Sequence, residues 1–130
     1  MEIKEILSRY KNIAVVGVSD KPERPSYQVA KFLMEKGYNI YPVNPNLDSF
    51  LGQKAYKSLE EIPEKVEIVD VFRRSEEVPA IAQAAVAIGA KVLWQQEGVD
   101  SQEARKIAEA AGLIVVANRC LKKEYLKNFP

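Results

Sequence analysis

The chain has 130 residues, of which 47% are hydrophobic and 28% are charged, which is the composition of an ordinary globular domain. Its 19 basic and 18 acidic side chains nearly cancel, which excludes a strong overall field for nucleic acid or an anionic membrane surface. The lack of histidine and the single cysteine exclude a disulfide within the chain and a histidine-based catalytic pair, and they leave few ligands for a metal site.

Apolar segments of strand and helix character alternate along the chain. A β-branched apolar run at 12–18 predicts a strand buried on both faces, and helical spacing predicts a helix from Ser26, its candidate cap, to Lys36. The later strands are predicted at 38–43, 66–72, 91–95 and 113–117. The later helices are predicted at 75–88 and from a cap at Asp100 or Ser101 to residue 111, with a short strand at 54–56 and short helices at 2–9 and 122–127.

Five strands that alternate with helices predict an α/β protein, because right-handed crossovers place helices on both faces of a parallel sheet. We therefore expect a three-layer Rossmann-like fold with a five-stranded, mostly parallel sheet, formed by residues 1–130 as a single domain. The longest apolar runs, at 13–18 and 113–117, are much shorter than the roughly 20 residues that span a bilayer. The charged N-terminal segment lacks the apolar core of a signal peptide, so we expect a cytoplasmic protein that binds neither membranes nor nucleic acid.

Ligands of parallel sheets bind beyond the carboxyl ends of the strands, so the loops at that edge hold the candidate site. Gly17, Val18 and Ser19 follow the first strand where a dinucleotide-binding domain has Gly-x-Gly-x-x-Gly, although only the first glycine is present. This glycine either lets backbone amides approach a phosphate or simply permits a tight turn. Asn44 and Pro45 follow the second strand where an NAD-binding domain has an acid, which disfavours NAD and leaves a 3′-phosphorylated nucleotide open.

Three arginines are predicted to converge on the same edge. Arg24 lies in the loop after the first strand, and Arg73 and Arg74 follow the strand at 66–72. Guanidinium groups bind phosphate through two parallel hydrogen bonds and stay charged at physiological pH. Each arginine taken alone is more often a solvated surface residue, but their shared placement at strand ends indicates an anion site.

Amide side chains follow the next strand. Gln95 and Gln96 could hydrogen-bond the amides of an extended ligand such as a pantetheine arm, whereas Trp94 before them is expected in the core. Cys120 follows the last strand and is expected near the same edge. Without a histidine to activate its thiol, a catalytic role for Cys120 is not the favoured interpretation.

Several ordered segments between residues 13 and 120 together resemble a known family. They are VVGVSDKPERPSYQVAKFL, GYNIYPVNP, VDVFRRSEEVP and AIGAKVLWQQEGV, followed by the lone cysteine. The chain resembles the small stand-alone CoA-binding proteins, which are similar to the nucleotide-binding domain of the succinyl-CoA synthetase alpha subunit. The resemblance implies a Rossmann-like fold that binds coenzyme A, with no catalytic activity established for the stand-alone members as a class. The active-site histidine of the synthetase lies in a separate domain, so the resemblance does not imply synthetase chemistry.

The resemblance also implies which residues contact the ligand. Matches to the family's Gly-x-Ser turn and Arg-Pro-Ser step, which would contact phosphate, are Gly17, Val18, Ser19, Arg24 and Ser26. Matches to its Pro-Val-Asn-Pro, which would border the adenosine, are Asn44 and Pro45. Matches to its Phe-Arg-Arg and Trp-x-Gln segments are Phe72, Arg73, Arg74 and Gln95. The chain departs from the family near its end, where Asn118 replaces an acid and Tyr125 replaces a histidine.

The favoured hypothesis is a protein that binds coenzyme A or an acyl-CoA without chemistry of its own, as a carrier, sensor or accessory protein. The alternatives are an NAD(P)-binding oxidoreductase-like protein, an acyl-CoA enzyme that uses Cys120, and a protein-interaction module with a degenerate nucleotide site. No catalytic residue and no metal ligand is predicted. The apolar segment 78–88 is compatible with a homodimer interface or with a helix that covers the sheet, and any protein partner is left open.

Overall fold

The computed structural model describes residues 1–130 and contains two β-sheets. In chain order the strands are β1 (Asn12–Val16), β2 (Asn39–Val43), β3 (Ser49–Phe50), β4 (Gln53–Lys54), β5 (Ile68–Val71), β6 (Val92–Gln95) and β7 (Ile114–Val116). Five of them form a parallel sheet in the order β2-β1-β5-β6-β7, while β3 and β4 form a small antiparallel hairpin. Because the strand order reverses between β1 and β5, the loops that follow these two strands flank a topological switch point.

The helices cover both faces of the parallel sheet. In chain order they are α1 (Ile3–Arg9), α2 (Pro25–Glu35), α3 (Val78–Ala87), α4 (Gln102–Ala110) and α5 (Leu121–Asn128). Helices α3 and α4 pack together on one face, and α1, α2 and α5 lie on the other. This arrangement confirms the predicted three-layer α/β fold. None of these helices combines the length and the apolar character that crossing a membrane requires.

Each face of the sheet is buried in its own hydrophobic core. Along β1, Ala14 and Val16 point into the core under α3 and α4, whereas Ile13 and Val15 point into the core under α1, α2 and α5. A strand with two buried faces is continuously apolar, which is why the segment predicts a strand so clearly. The two cores fix the strand ends, so the loops that follow the strands start from rigid positions.

Helix α2 begins one residue earlier than predicted. Its first residue is Pro25, which suits that place because its φ is already helical and it has no N–H that would need a partner. Ser26 is therefore inside the helix, and the prediction that it caps α2 was wrong. Its hydroxyl instead accepts a hydrogen bond from the amide of Ser19 at 2.9 Å.

Helix α3 begins later than the predicted residue 75. Residues Ser75–Glu77 form a 3-10 turn, and the α-helix starts at Val78 with Pro79 in its first turn. Proline is tolerated only there, because further along the helix its ring would clash with the preceding turn and a hydrogen bond would be lost. The proline therefore determines where the regular helix can begin.

Two smaller predictions had different outcomes. Of the two predicted caps of α4, Asp100 and Ser101, the structure uses Ser101, whose hydroxyl accepts a hydrogen bond from the amide of Ala104 at 3.1 Å. The strand predicted at 54–56 is shorter and earlier, because only Gln53–Lys54 pairs within a sheet. A single parallel bridge between Val43 and Tyr56 is all that connects the rest of that segment to the main sheet.

Candidate ligand-binding site

Three adjoining clefts lie at the carboxyl edge of the parallel sheet. The arginine cleft has a volume of about 630 Å³, and its walls include Val29, Phe72, Arg73, Arg74, Gln96 and Cys120. The loop cleft, of about 530 Å³, is lined by residues that include Gly17, Val18, Ser19, Arg24, Ser26 and Asn44. The helix cleft, of about 430 Å³, is lined by residues that include Gly17, Pro45, Arg73, Glu77, Ile81 and Ala84.

The clefts share walls and therefore form one continuous surface. Pro25 and Phe72 line both the arginine cleft and the loop cleft, and Gly17 lines both the loop cleft and the helix cleft. Arg73 and Glu77 separate the arginine cleft from the helix cleft. The fold thus brings together ten of the eleven residues that the sequence proposes for the site, all except Gln95.

Gly17 is required by the packing of two strand ends. Its φ is +88°, and a Cβ added to it would lie 2.5 Å from the carbonyl oxygen of Phe72 and 2.7 Å from Cδ of Arg73. Its amide donates to the carbonyl of Val43 at 2.9 Å. Only glycine allows the ends of β1 and β5 to approach so closely, so the tight-turn role of Gly17 is met within the protein itself.

Polar side chains hold the loop between β1 and α2 in place. The Ser19 hydroxyl accepts a hydrogen bond from the Lys21 amide at 3.1 Å, beside the bond between the Ser19 amide and Ser26. Asn44 Nδ2 donates to the carbonyl of Val18 at 2.8 Å and ties the loop to the end of β2. These bonds define the shape of the loop cleft before any ligand enters.

Positive charge is available in the loop cleft. Arg24 lines this cleft and forms no ion pair, so its guanidinium group is free for an anion. The first turn of α2 starts beside it, and the amides at a helix start have no helical acceptor and carry partial positive charge. The combination is suited to a phosphate group.

The guanidinium groups of Arg73 and Arg74 are already engaged by Glu77. Arg73 Nη2 lies 2.7 Å from Glu77 Oε1, and Arg74 Nε lies 3.2 Å from Glu77 Oε2. Hydrogen bonds from Arg73 and then Arg74 lower the pKa of Glu77, which therefore stays ionised. Glu76 lies 3.5 Å from Arg74 as well, so an anionic ligand competes with carboxylates at this turn.

Gln95 and Gln96 lie on opposite sides of the sheet edge. Gln95 is fully buried, its Oε1 accepts a hydrogen bond from the amide of Ser101 at 2.7 Å, and it lines none of the three clefts. Gln96 lines the arginine cleft. The side chains of neighbouring residues alternate along an extended chain, and this alternation is the signal that separates Gln96 from Gln95. Trp94 is fully buried, as expected, and its Nε1 donates to the carbonyl of Arg119 at 2.8 Å.

Asp70 is a polar residue of this edge that the sequence analysis missed. It is 0% exposed in the middle of β5, and its Oδ1 accepts a hydrogen bond from Gln96 Nε2 at 2.5 Å. Burial raises the pKa of Asp70 to about 8, and the bond from Gln96 opposes that rise only in part. The signal for this residue was the acid itself, which stands inside an otherwise apolar strand.

The residues near the end of the chain have structural partners. Cys120 is a free, partly buried thiol in the wall of the arginine cleft, directly before α5. Asn118 has a φ of 57°, and its Oδ1 accepts a hydrogen bond from the Gly98 amide at 2.8 Å. Tyr125 packs edge-on against Phe32 with ring centres 5.4 Å apart. The two departures from the family pattern therefore serve a tight turn and the packing of α5.

Residues 11–125 match the model of a family described as the CoA binding domain. The chain belongs to this family. The match confirms the predicted family and the predicted cofactor, coenzyme A.

The CoA-binding domain has relatives of similar length. It is 47% identical over 121 residues to the uncharacterized protein YneT of Bacillus subtilis, covering 93% of this chain and 90% of that protein. A solved structure described as a hypothetical protein from Pyrococcus horikoshii superimposes with a TM-score of 0.97 at 47% identity, covering 98% of this chain and 90% of that one.

The domain is also similar to part of a much longer enzyme. It is 32% identical over 101 residues to acetate–CoA ligase (ADP-forming) II of Archaeoglobus fulgidus. The match covers 76% of this chain but only 15% of the ligase. Most of the ligase therefore has no counterpart in this chain.

Proposed function

We propose that this protein binds coenzyme A or an acyl-CoA across the three clefts and performs no chemistry on it, acting as a carrier, sensor or accessory protein. The observation that carries this proposal is the meeting of the three clefts around Gly17, Phe72 and Arg73 in a member of the CoA binding domain family. An extended ligand with a nucleotide, phosphates and a long arm needs such a branched surface rather than one compact pocket.

The three clefts suit different parts of the ligand. In this proposal the phosphates occupy the loop cleft, where Arg24 is unpaired and α2 begins. The adenine ring occupies the helix cleft, whose wall includes the apolar side chains of Pro45 and Ile81. The pantetheine arm runs along the arginine cleft past Phe72, since that cleft adjoins the loop cleft there.

The absence of chemistry is proposed from the surroundings of the one candidate nucleophile. Cys120 lines the arginine cleft, but the chain has no histidine that could take its proton. The adjacent Arg119 forms an ion pair with Glu124 at 3.5 Å, and Lys123 is held by Glu97 at 3.0 and 3.1 Å. The ligase relative contains a large additional part that this chain lacks, so ligase activity is not proposed for it.

Calorimetric titration of the ligand-stripped protein at physiological salt tests the proposed ligand. We expect micromolar or tighter binding of coenzyme A, weaker binding of 3′-dephospho-CoA, which lacks one phosphate, and no binding of NAD or NADP. Arg24→Ala should weaken coenzyme A, whereas Arg9→Ala, an exposed arginine on α1, is the matched control. Binding of NAD or NADP without coenzyme A would overturn the proposal and favour the dinucleotide alternative.

A further inference from the structure

Asp70 is a buried acid that neither the packing of the core nor the proposed ligand contacts account for. Its register neighbours in the sheet are Val15 on β1 and Trp94 on β6, both apolar. Its Oδ2 has no hydrogen-bond partner, and burial raises its pKa to about 8, so the carboxyl is mostly protonated at pH 7. An apolar residue at this position would avoid the desolvation of a carboxyl group.

The single partner of Asp70 leads to the ligand site. Gln96 donates from Nε2 to Asp70 Oδ1 and lines the arginine cleft next to Phe72. Its Oε1 accepts no hydrogen bond within the protein. The fully buried polar atoms without a partner do not include Gln96 Oε1, so this oxygen is not fully buried. Oε1 is therefore the end of the carboxamide that solvent or a ligand can reach.

Other polar groups of the arginine cleft are already engaged. The charged side chains in its wall, which form ion pairs with one another or with Lys123, are Arg73, Arg74, Glu77 and Glu97. The Gln96 carboxamide is uncharged and is anchored from below by a fully buried group. It is thus a fixed polar contact in a cleft whose other polar contacts are exposed ions.

We propose that Asp70 is a positioning residue, whose carboxyl holds the Gln96 –NH₂ group inward so that Gln96 Oε1 faces the cleft as an acceptor for an N–H group of the ligand. This inference rests on the proposed function, because the N–H groups meant are the amides of the pantetheine arm. A carboxamide turned the other way would present donors to the cleft and would favour a ligand that offers acceptors. Asp70 thereby contributes to specificity without touching the ligand.

The test compares the affinity for coenzyme A with that for adenosine 3′,5′-bisphosphate, which has the nucleotide but no arm. We expect Gln96→Leu to lower the ratio of the two affinities about tenfold, the effect of one net hydrogen bond. Asp70→Leu should lower the ratio by the same factor, and the double variant no further. Asp70→Asn keeps an acceptor oxygen at the same place and should restore the ratio.

The outcomes separate this inference from the proposed function. A purely structural role of Asp70 would weaken both ligands alike, so an unchanged ratio in Asp70→Leu overturns the positioning role while coenzyme A binding stands. Failure of the wild-type protein to bind coenzyme A overturns both. If Asp70→Leu does not fold, the side-chain amide NMR signals of Gln96 in the wild type decide: they must shift with coenzyme A and not with the bisphosphate.

Discussion

The turn at Gly17 combines two constraints that can be measured separately. Gly17→Ala places a Cβ 2.5 Å from a backbone oxygen and also forces a non-glycine residue to a φ of +88°. We expect the free energy of unfolding to fall by roughly 2 kcal/mol or more, because the backbone atoms of β5 cannot move aside easily. Urea denaturation monitored by circular dichroism measures this loss.

Gly37→Ala is the matched control for that substitution. Gly37 has a φ of +94°, but nothing lies within 4 Å of an added Cβ, so only the backbone strain applies. We expect a loss of about 1 kcal/mol in this variant. Equal losses in the two variants would mean that the close approach of β1 and β5 adds nothing to the requirement for glycine at position 17.

Asp70 makes stability depend on pH. The pKa of its carboxyl is about 8 in the folded protein against the ordinary aspartate value of 3.8, so the folded state holds this proton more tightly than the unfolded state. Its contribution to stability is therefore complete below pH 3.8 and is lost as pH rises towards 8. Above that pH the carboxylate is ionised in both the folded and the unfolded state, and the loss of stability is at its maximum.

Asp70→Asn should remove this dependence. Asparagine has nearly the same shape and cannot ionise, so we expect the variant to be more stable than the wild type at pH 9 by up to a few kcal/mol, and the difference to shrink at pH 5. Urea denaturation at pH 5, 7 and 9 measures the difference. Asp48→Asn, at an almost fully exposed carboxylate, is the control. Parallel pH profiles for the wild type and Asp70→Asn would show that the carboxyl is not desolvated.

Among the elements, the turn between β5 and α3 decides how much charge the site offers. The sequence Arg73-Arg74 indicates two cations, but the 3-10 turn that precedes Pro79 also brings Glu77 within hydrogen-bond distance of both. Glu76 and Glu77 come from the same turn as the arginines and neutralise part of their positive charge. The arginines alone therefore do not predict the charge of the site. Because of this pairing, we propose the loop cleft rather than the arginine cleft as the site for phosphate.

Substitution of the two arginines tests their contribution. The Arg73 side chain is 43% exposed and borders two clefts, whereas the Arg74 side chain is 78% exposed. We expect Arg73→Ala to weaken coenzyme A by about 1 to 3 kcal/mol and Arg74→Ala to weaken it less, because a more exposed charge is better screened. Calorimetry against the Arg9→Ala control measures both. An unchanged affinity in Arg73→Ala would remove this residue from the proposed ligand contacts.

At the scale of the whole molecule, a binding protein and an acyl-CoA enzyme differ in whether a group of the chain reacts with the ligand. The match covers 15% of the Archaeoglobus ligase and 90% of the Bacillus protein, so the activity of the ligase is not carried over to this chain. Cys120 is the thiol in the walls of the clefts, and it lines the arginine cleft. Substitution of Cys120 therefore tests the thiol mechanism of an acyl-CoA enzyme.

Cys120→Ser should leave ligand handling unchanged. We expect the affinities for coenzyme A and acetyl-CoA to stay within about twofold, since the substitution alters one atom in the cleft wall and removes no charge. Mass spectrometry of the wild type after incubation with acetyl-CoA should show no covalent adduct. An acylated Cys120, absent in the serine variant, would instead establish the thiol mechanism.

Much of the fold was determined by the sequence itself. The β-branched run before Gly17 predicts a buried strand because a strand with two covered faces must be apolar throughout. Alternation of such runs with helices leaves a parallel sheet as the solution, and the ligand edge follows from the direction of the strands. Most of the ten predicted residues that line the clefts come together for this reason, since they follow strand ends, whereas Ser26, which the family resemblance supplied, lies in the first turn of α2.

Only the tertiary structure decided which groups at that edge are free. Gln95 lies in the core and Gln96 in the cleft, because side chains alternate between the two faces of the sheet at the end of β6. Elements distant in sequence determine what covers each face. Arg24 is unpaired while Arg73 and Arg74 share Glu77, and the pKa of Asp70 is raised because its neighbours from β1 and β6 exclude water. Residue type and local pattern determine the element, but burial and hydrogen-bond partners come from other parts of the chain.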